Sequence, residues 1–199
     1  MSRVSRCAAI MACSVAFVVS GGCGSSPTRF YALNGLPQGV GHTGGVARSG
    51  PALGVGPVAV PERLNRPEIV TWVNESMLHL ADFDQWAAPL QDSLTRVLAE
   101  NLAVLLSTDR AAVFPWPSDT PIDYEVRVEV TRFEGTLGRD CSLIARWFIL
   151  RRVDKQTKAG RSSHTEPAGE SYTTLVAAQS RLVAALSRDI ATALGVGGW

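Results

Sequence analysis

Cysteine and histidine are scarce in this chain of 199 residues. Its cysteines are Cys7, Cys13, Cys23 and Cys141, and it has only three histidines. It has no Cys-x-x-Cys pair and no histidines at metal-ligand spacing, so we expect neither a metal nor another cofactor. Cys141 begins an apolar segment, which predicts a buried packing thiol rather than a nucleophile.

Motifs of the common enzyme classes are also missing. The chain has no G-x-S-x-G elbow, Walker loop or dinucleotide G-x-G-x-x-G. Asp82 and Asp84 have the spacing of an acid–base pair, but a position just before a predicted helix favours capping. A triad assembled in space leaves no trace in sequence, so an undetected hydrolase is the alternative. We predict a protein that is not an enzyme.

Charge of one sign is not in excess. The chain has 19 basic and 18 acidic residues and no basic cluster, which argues against a nucleic-acid partner. Beyond the first residues, no apolar run approaches the about 20 residues that span a bilayer.

The first 22 residues have the pattern of a secretory signal peptide. Arg3 and Arg6 precede an uncharged stretch from Cys7 to Val19, and small residues follow. Ser20-Gly21-Gly22-Cys23 is similar to a lipobox, although Ser20 stands where an aliphatic residue is usual. We predict cleavage after residue 22 and lipidation of Cys23. An ordinary signal peptide that contains a cysteine is the alternative.

Residues 23–52 are rich in Gly, Ser, Thr and Pro, which predicts a lipid-anchored flexible tether. Arg29–Leu33 is a short strand candidate within it. Gly24, rather than Asp, follows the cysteine, which favours the outer membrane over the inner one by analogy with Gram-negative sorting.

Residues 53–195 are predicted to form one domain, followed by a short tail at 196–199. Alternating residues at 52–60 and 124–130 predict two strands. Runs of apolar, β-branched or aromatic residues predict others at 68–73, 77–80, 111–114, 142–153 and, more weakly, 162–170. Apolar residues at steps of three and four predict one helix over 86–107 and another from Leu175 to Leu194. The order of elements predicts an α+β fold: a mixed or mainly antiparallel sheet with two long amphipathic helices packed on one face.

Tryptophan is frequent for a domain of this size. Trp72, Trp86, Trp116 and Trp147 are explained by core and sheet packing, or alternatively by a contact surface, where Trp is enriched.

Several motifs, taken in order, resemble the ABC-type transport auxiliary lipoproteins (the PqiC/YmbA-like family). These motifs are Tyr31-Ala32-Leu33, Val55-Gly56-Pro57-Val58-Ala59-Val60-Pro61-Glu62-Arg63-Leu64-Asn65-Arg66-Pro67-Glu68-Ile69-Val70, Trp86-Ala87-Ala88-Pro89-Leu90, Asn101-Leu102 and Arg132-Phe133-Glu134. The resemblance implies a non-enzymatic lipoprotein at the periplasmic face of the outer membrane. Its implied partners are an MCE-type (mammalian cell entry) periplasmic protein and the ABC permease system of that protein, which move phospholipid or other hydrophobic molecules.

The resemblance leaves the contact residues open. Arg66, Pro67, Trp72 and Trp86 are candidates for partner contact, and a homo-oligomer is possible. The alternatives are a stand-alone lipid- or ligand-binding lipoprotein with its own apolar cavity, and a structural outer-membrane assembly lipoprotein.

Overall fold

The computed structural model describes residues 27–37 and 50–195. The signal peptide, Cys23 and the tail at 196–199 lie outside the described residues. Within the described ranges, no helix is long and apolar enough to cross a membrane.

A five-stranded mixed sheet forms one half of the domain. Its strands are β2 (Leu53–Ala59), β5 (Ala111–Val113), β6 (Tyr124–Arg132), β7 (Asp140–Arg151) and β8 (Thr157–Pro167), arranged in the order β5-β2-β6-β7-β8. β2 is parallel to β5 and to β6, whereas β6, β7 and β8 are antiparallel neighbours. Side chains alternate along β7 between buried and more exposed positions, so one face of this sheet is covered and the other is open.

A smaller sheet contains β1 (Arg29–Tyr31), β3 (Glu68–Trp72) and β4 (Leu78–Trp86) in the order β1-β4-β3. Single bridges from Gly135 to Thr71 and to Cys141 connect it with the larger sheet. A Cβ at Gly135 would lie 2.4 Å from the Asp140 carbonyl oxygen and 2.4 Å from the Cys141 Cβ. The close approach of the two sheets therefore requires glycine at this position.

Two helices cover the buried face. α1 (Leu90–Leu105) packs on β2 and β5, α2 (Tyr172–Gly195) packs on β7 and β8, and the helices contact each other. Their apolar stripes meet the sheet in one core whose fully buried side chains include Leu53, Leu94, Leu98, Leu143 and Leu182. This architecture confirms the predicted α+β fold class.

The first helix begins later than predicted. It starts at Leu90, after Pro89 with φ −48° and ψ 133°, whereas Trp86 is the last residue of β4. Asp84 therefore lies in a strand, and the predicted capping role is wrong for it. The predicted helix began at Trp86, but pairing of β4 with β1 and β3 extends the strand through this residue. β8 also begins earlier than predicted, at Thr157, because it pairs with β7 through Leu150.

Part of the segment that was assigned to the tether belongs to the fold. β1 runs parallel to β4, with Arg29 beside Asp84 and Tyr31 beside Trp86. Leu33 is buried in the core, and the Asn34 amide donates to Ser180 Oγ at 3.1 Å. These contacts place folded structure before residue 53, where the sequence put the domain boundary.

One buried carboxylate holds β1 in place. Asp84 accepts hydrogen bonds from Arg29 Nη2 at 2.8 Å and from the Tyr31 hydroxyl at 2.7 Å. Burial, followed by the bond to Asp84, raises the pKa of Tyr31 above its ordinary value, so the hydroxyl remains a donor at neutral pH. The carboxylate thus binds both polar side chains of β1, Arg29 and Tyr31.

Leu98→Asp is expected to abolish folding, because it places an unpaired charge at a fully buried position between helix and sheet. The cost, of the order of 4 kcal/mol or more, approaches the whole stability of a typical domain. Arg96→Asp is the matched control on the exposed side of α1 and should cost less than about 1 kcal/mol through its neighbour Glu100. Circular dichroism with urea titration measures both, and a folded Leu98→Asp protein would contradict the helix packing.

Asp84→Asn is expected to lower the free energy of unfolding by about 1–2 kcal/mol, because the charged acceptor of two hydrogen bonds is lost. It should also speed trypsin cleavage after Arg29, since β1 would detach more often. Arg29→Gln is the control for stability: the Arg29 side chain is 65% exposed, so its replacement should lower the free energy of unfolding less than Asp84→Asn does. Equal cleavage rates at Arg29 in wild type and Asp84→Asn would refute the role of Asp84.

Candidate partner-binding surface

The segment between β2 and β3 is held to the domain by an ion pair. It contains a short 3-10 helix, Glu62–Leu64, in which Leu64 is buried and Arg63 faces outward. Arg63 Nη2 lies 2.8 Å from Glu134 Oε1, and the Glu134 side chain is almost fully buried. Glu134 Oε2 also accepts a hydrogen bond from the Phe133 amide at 2.8 Å. Two of the motifs singled out in the sequence thus meet in one structural contact.

Arg66 and Pro67 form the exposed end of this segment. Arg66 Nε pairs with Glu68 Oε2 at 2.8 Å, with both side chains partly accessible. This bond to Arg66 lowers the pKa of Glu68, so the pair is charged at neutral pH. Pro67 is exposed, while its carbonyl accepts the Trp86 amide at 2.7 Å. The backbone is therefore fixed, and the side chains are presented to solvent.

The tryptophans occupy different environments. Trp86 is 6% exposed and is part of the core, and Trp147 is 9% exposed, with its indole N–H donating to Ser162 Oγ at 3.1 Å. Trp116 packs edge-on against Phe114 and lies over Gly54. Trp72 is half-buried and is the last residue of β3, whereas Arg66 and Pro67 precede the first residue of this strand. The structure therefore does not bring Trp72 together with Arg66 and Pro67. Packing accounts for Trp86 and Trp147.

Asn101, another motif residue, links three parts of the domain. Its Oδ1 accepts the Leu36 amide at 2.6 Å, and its Nδ2 donates to Ser187 Oγ at 3.0 Å. The side chain is fully buried, so it connects the N-terminal segment with both helices. Its place in the sequence motif is explained by folding and not by contact with a ligand.

Exposed apolar side chains form a feature that the sequence analysis missed. Phe30 is 66% exposed, Val73 51%, Met77 50% and Phe83 46%, and all four belong to the three-stranded sheet or its hairpin. Successive side chains of a strand point to opposite faces, so the inward position of Tyr31 in β1 is the sequence signal for an exposed Phe30. For Val73 and Met77 the signal is their place on either side of the Asn74-Glu75 turn.

No group of three or more His, Cys, Asp or Glu side chains is placed to hold a metal within 27–37 and 50–195. Ser162 Oγ and His164 Nε2 both bond Asp189 Oδ2, at 2.5 and 2.7 Å, so Ser162 and His164 share an acceptor that ties β8 to α2. Burial raises the pKa of the Cys141 thiol to about 11, which keeps it protonated and unreactive at neutral pH.

One surface depression, of about 520 Å³, lies at the far end of the larger sheet. Its lining includes Ile122, Asp123, Arg151, Arg152 and Val153. Arg152 forms an ion pair with Glu125, and Arg151 pairs with Asp154. An open depression with paired charges is unlike the enclosed apolar cavity that holds a lipid tail.

The comparisons with known proteins agree with this architecture. The model of the family "ABC-type transport auxiliary lipoprotein component" matches residues 31–191. No curated protein matches the chain in sequence at a significant level.

Two solved structures share the fold. A crystal structure of an uncharacterized protein superposes with a TM-score of 0.68 at 20% identity, covering 85% of this chain and all of that one. A crystal structure of a Xanthomonas campestris protein of the DUF330 family superposes with a TM-score of 0.64 at 15% identity, covering 82% of this chain and 93% of that one. The matched family segment spans the described domain from β1 into α2, and the chain belongs to the family of ABC-type transport auxiliary lipoprotein components.

Proposed function

We propose that this protein is a non-enzymatic accessory subunit of an MCE-type ABC transport system, which moves phospholipid or another hydrophobic molecule across the periplasm. The observation that carries the proposal is the match of the transport-auxiliary family over residues 31–191. The matched residues include the sequence motifs at both sheets and at α1, which supports an accessory role for the whole domain.

The packing of the domain favours an accessory subunit over a stand-alone lipid carrier. A carrier must enclose an apolar tail, whereas the space between the helices and the sheet is filled by fully buried side chains, Leu98 and Leu182 among them. A protein that binds no cargo itself has to act through its surface.

We place the protein at the periplasmic face of the outer membrane, anchored through acyl chains on Cys23 after removal of residues 1–22. The lipobox-like Ser20-Gly21-Gly22-Cys23 and the following Gly24 support this. Several acyl chains on one residue are needed for stable attachment, because a single chain binds only marginally.

The surface that we propose for the MCE-type partner is the loop at Arg66 and Pro67. Both are presented on a backbone fixed by the Arg63–Glu134 pair and by the Trp86 amide, so binding would cost little ordering. Trp72 lies six residues further on, or roughly 20 Å along an extended strand, and takes no part in this contact. Trp86 supports the loop from within the core.

Cys23→Ala is expected to move the protein from the membrane to the soluble fraction and to remove the mass of the acyl chains. Fractionation of cell envelopes and intact-mass spectrometry measure the two effects. Cys141→Ala is the matched control and should fractionate as wild type does, because its buried thiol takes no part in anchoring. A Cys23→Ala protein that stays with membranes at unchanged mass would show that Cys23 is not the anchor.

A photoreactive amino acid at Pro67 is expected to crosslink an MCE-type protein or its permease in intact envelopes, as identified by mass spectrometry. The control site is Val153, which is 86% exposed and lies in the turn between β7 and β8. Equal crosslinking from both sites would argue against a contact at Pro67. Recovery of the protein alone, with lipid bound, would favour the stand-alone carrier.

A further inference from the structure

The turn between β3 and β4 carries an apolar tip. Residues 73–77 are consecutively exposed, with Val73 and Met77 at their two ends. The tip has its own backbone bonds: the Val73 amide donates to the Met77 carbonyl at 2.9 Å, and the Ser76 amide to Asn74 Oδ1 at 3.0 Å. It is thus a defined turn that presents two apolar side chains to solvent.

The composition of this hairpin tip, residues 73–77 with Trp72 directly behind them, suits a bilayer interface. Trp72 is half-buried, and tryptophan concentrates at the headgroup level of membranes. Val73 and Met77 supply apolar groups, while Asn74, Glu75 and Ser76 are polar. Glu75 is the one charged side chain of the tip, so a largely zwitterionic surface fits it better than a strongly anionic one.

The direction of β1 places the start of the domain on the side of this tip. Because β1 is parallel to β4 and Arg29 is beside Asp84, the chain enters from the end of the sheet where β4 begins. β4 begins at Leu78, immediately after the tip. Pro27 and Thr28 therefore precede β1 on the hairpin side.

The length of chain between the anchor and β1 matches the distance to the tip. Cys23 and Arg29 are six residues apart, which allows a reach of at most about 22 Å. Leu78 and Asp84 are also six residues apart along β4, or roughly 20 Å. A lipid anchor on Cys23 can thus lie level with the base of the tip, and the bilayer that receives the acyl chains is then within reach of Val73 and Met77.

We infer that the hairpin tip contacts the phospholipid bilayer in which the protein is anchored. The inference rests on the proposed lipidation of Cys23. The tip and the anchor together form two attachment points, which fix the orientation of the domain. The loop at Arg66 and Pro67, at the opposite end of β3, is then held away from the membrane surface.

The test uses the mature lipidated protein in vesicles of phosphatidylethanolamine and phosphatidylcholine with spin-labelled lipid. A nitrobenzoxadiazole label is attached through Ser76→Cys, or through Val153→Cys as the control. The acylated Cys23 and the buried Cys141, with its raised pKa of about 11, do not compete for the label. Val153 is a suitable control because it follows the far end of β7. Cys141, near the start of β7, is connected through Gly135 to Thr71 of β3, and the 12 residues of β7 span roughly 40 Å.

The label at Ser76 is expected to shift to shorter wavelength and to lose at least half of its emission to the spin-labelled lipid. The label at Val153 should show neither change. Val73→Asp combined with Met77→Asp should abolish the quenching at Ser76, whereas Val153→Asp should leave it intact. Both native tip residues are about half exposed, so the double variant should melt as wild type does. If the double variant does not fold, the difference in lipid quenching between the labels at Ser76 and Val153 still tests the contact.

Two results overturn the inference while the anchor stands: an acylated protein that floats with vesicles but has an unquenched Ser76 label, and a label that shifts to shorter wavelength without quenching by lipid. The second result assigns the tip to a second copy of the chain. Absence of the acyl mass overturns the anchor, and the inference with it. Flotation and intact mass therefore separate failure of the anchor from failure of the tip.

Discussion

The geometry of this domain relative to its N-terminus depends on one buried carboxylate. Asp84 accepts hydrogen bonds from Arg29 and from the Tyr31 hydroxyl. These bonds fix β1 as the outer strand of the small sheet. Arg29 itself is largely exposed, so the energy of the contact comes mainly from satisfying the buried acceptor rather than from the ion pair. The direction from which the N-terminal segment enters the domain follows from this contact.

The motifs by which the chain resembles its family are mainly folding determinants. Arg63 and Glu134, distant in sequence, form the pair that holds the loop before β3, and Asn101 joins the N-terminal segment to both helices. Gly135, which directly follows the motif Arg132-Phe133-Glu134, allows the two sheets to approach. Arg66 and Pro67 stand apart, because both are accessible while the backbone beneath them is fixed. For that reason we propose these two residues as the site of partner binding.

A surface role agrees with the chemistry of the described domain. Side-chain pairs at the larger sheet, such as Arg152 with Glu125 and His164 with Asp189, join neighbouring elements. The Cys141 thiol is buried. What the domain offers instead are a rigid loop at one end of β3 and an apolar hairpin at the other. Such an arrangement suits a protein that holds partners in position.

The amino-acid sequence by itself determined the fold class and most of the elements, because periodicity is a local property. The alternation from Tyr124 to Val130 and the helical spacing of Leu94, Leu98 and Leu102 each follow from burial of one face. The family motifs were readable for the same reason, since each is a short run.

Only the tertiary structure decided where those runs meet. Asp84 preceded an apparent helix and looked like a cap, but pairing with β1 and β3 made its segment a strand. Trp86 looked like a surface candidate, yet the strand turns it into the core. The strand candidate at Arg29–Leu33 stood inside a segment assigned to the tether, and the contacts that join residues 29–37 to the domain are made with Asp84, Asn101 and Ser180, which lie far along the chain. Contacts between distant residues leave no period in the sequence, so these features could be found only in the folded domain.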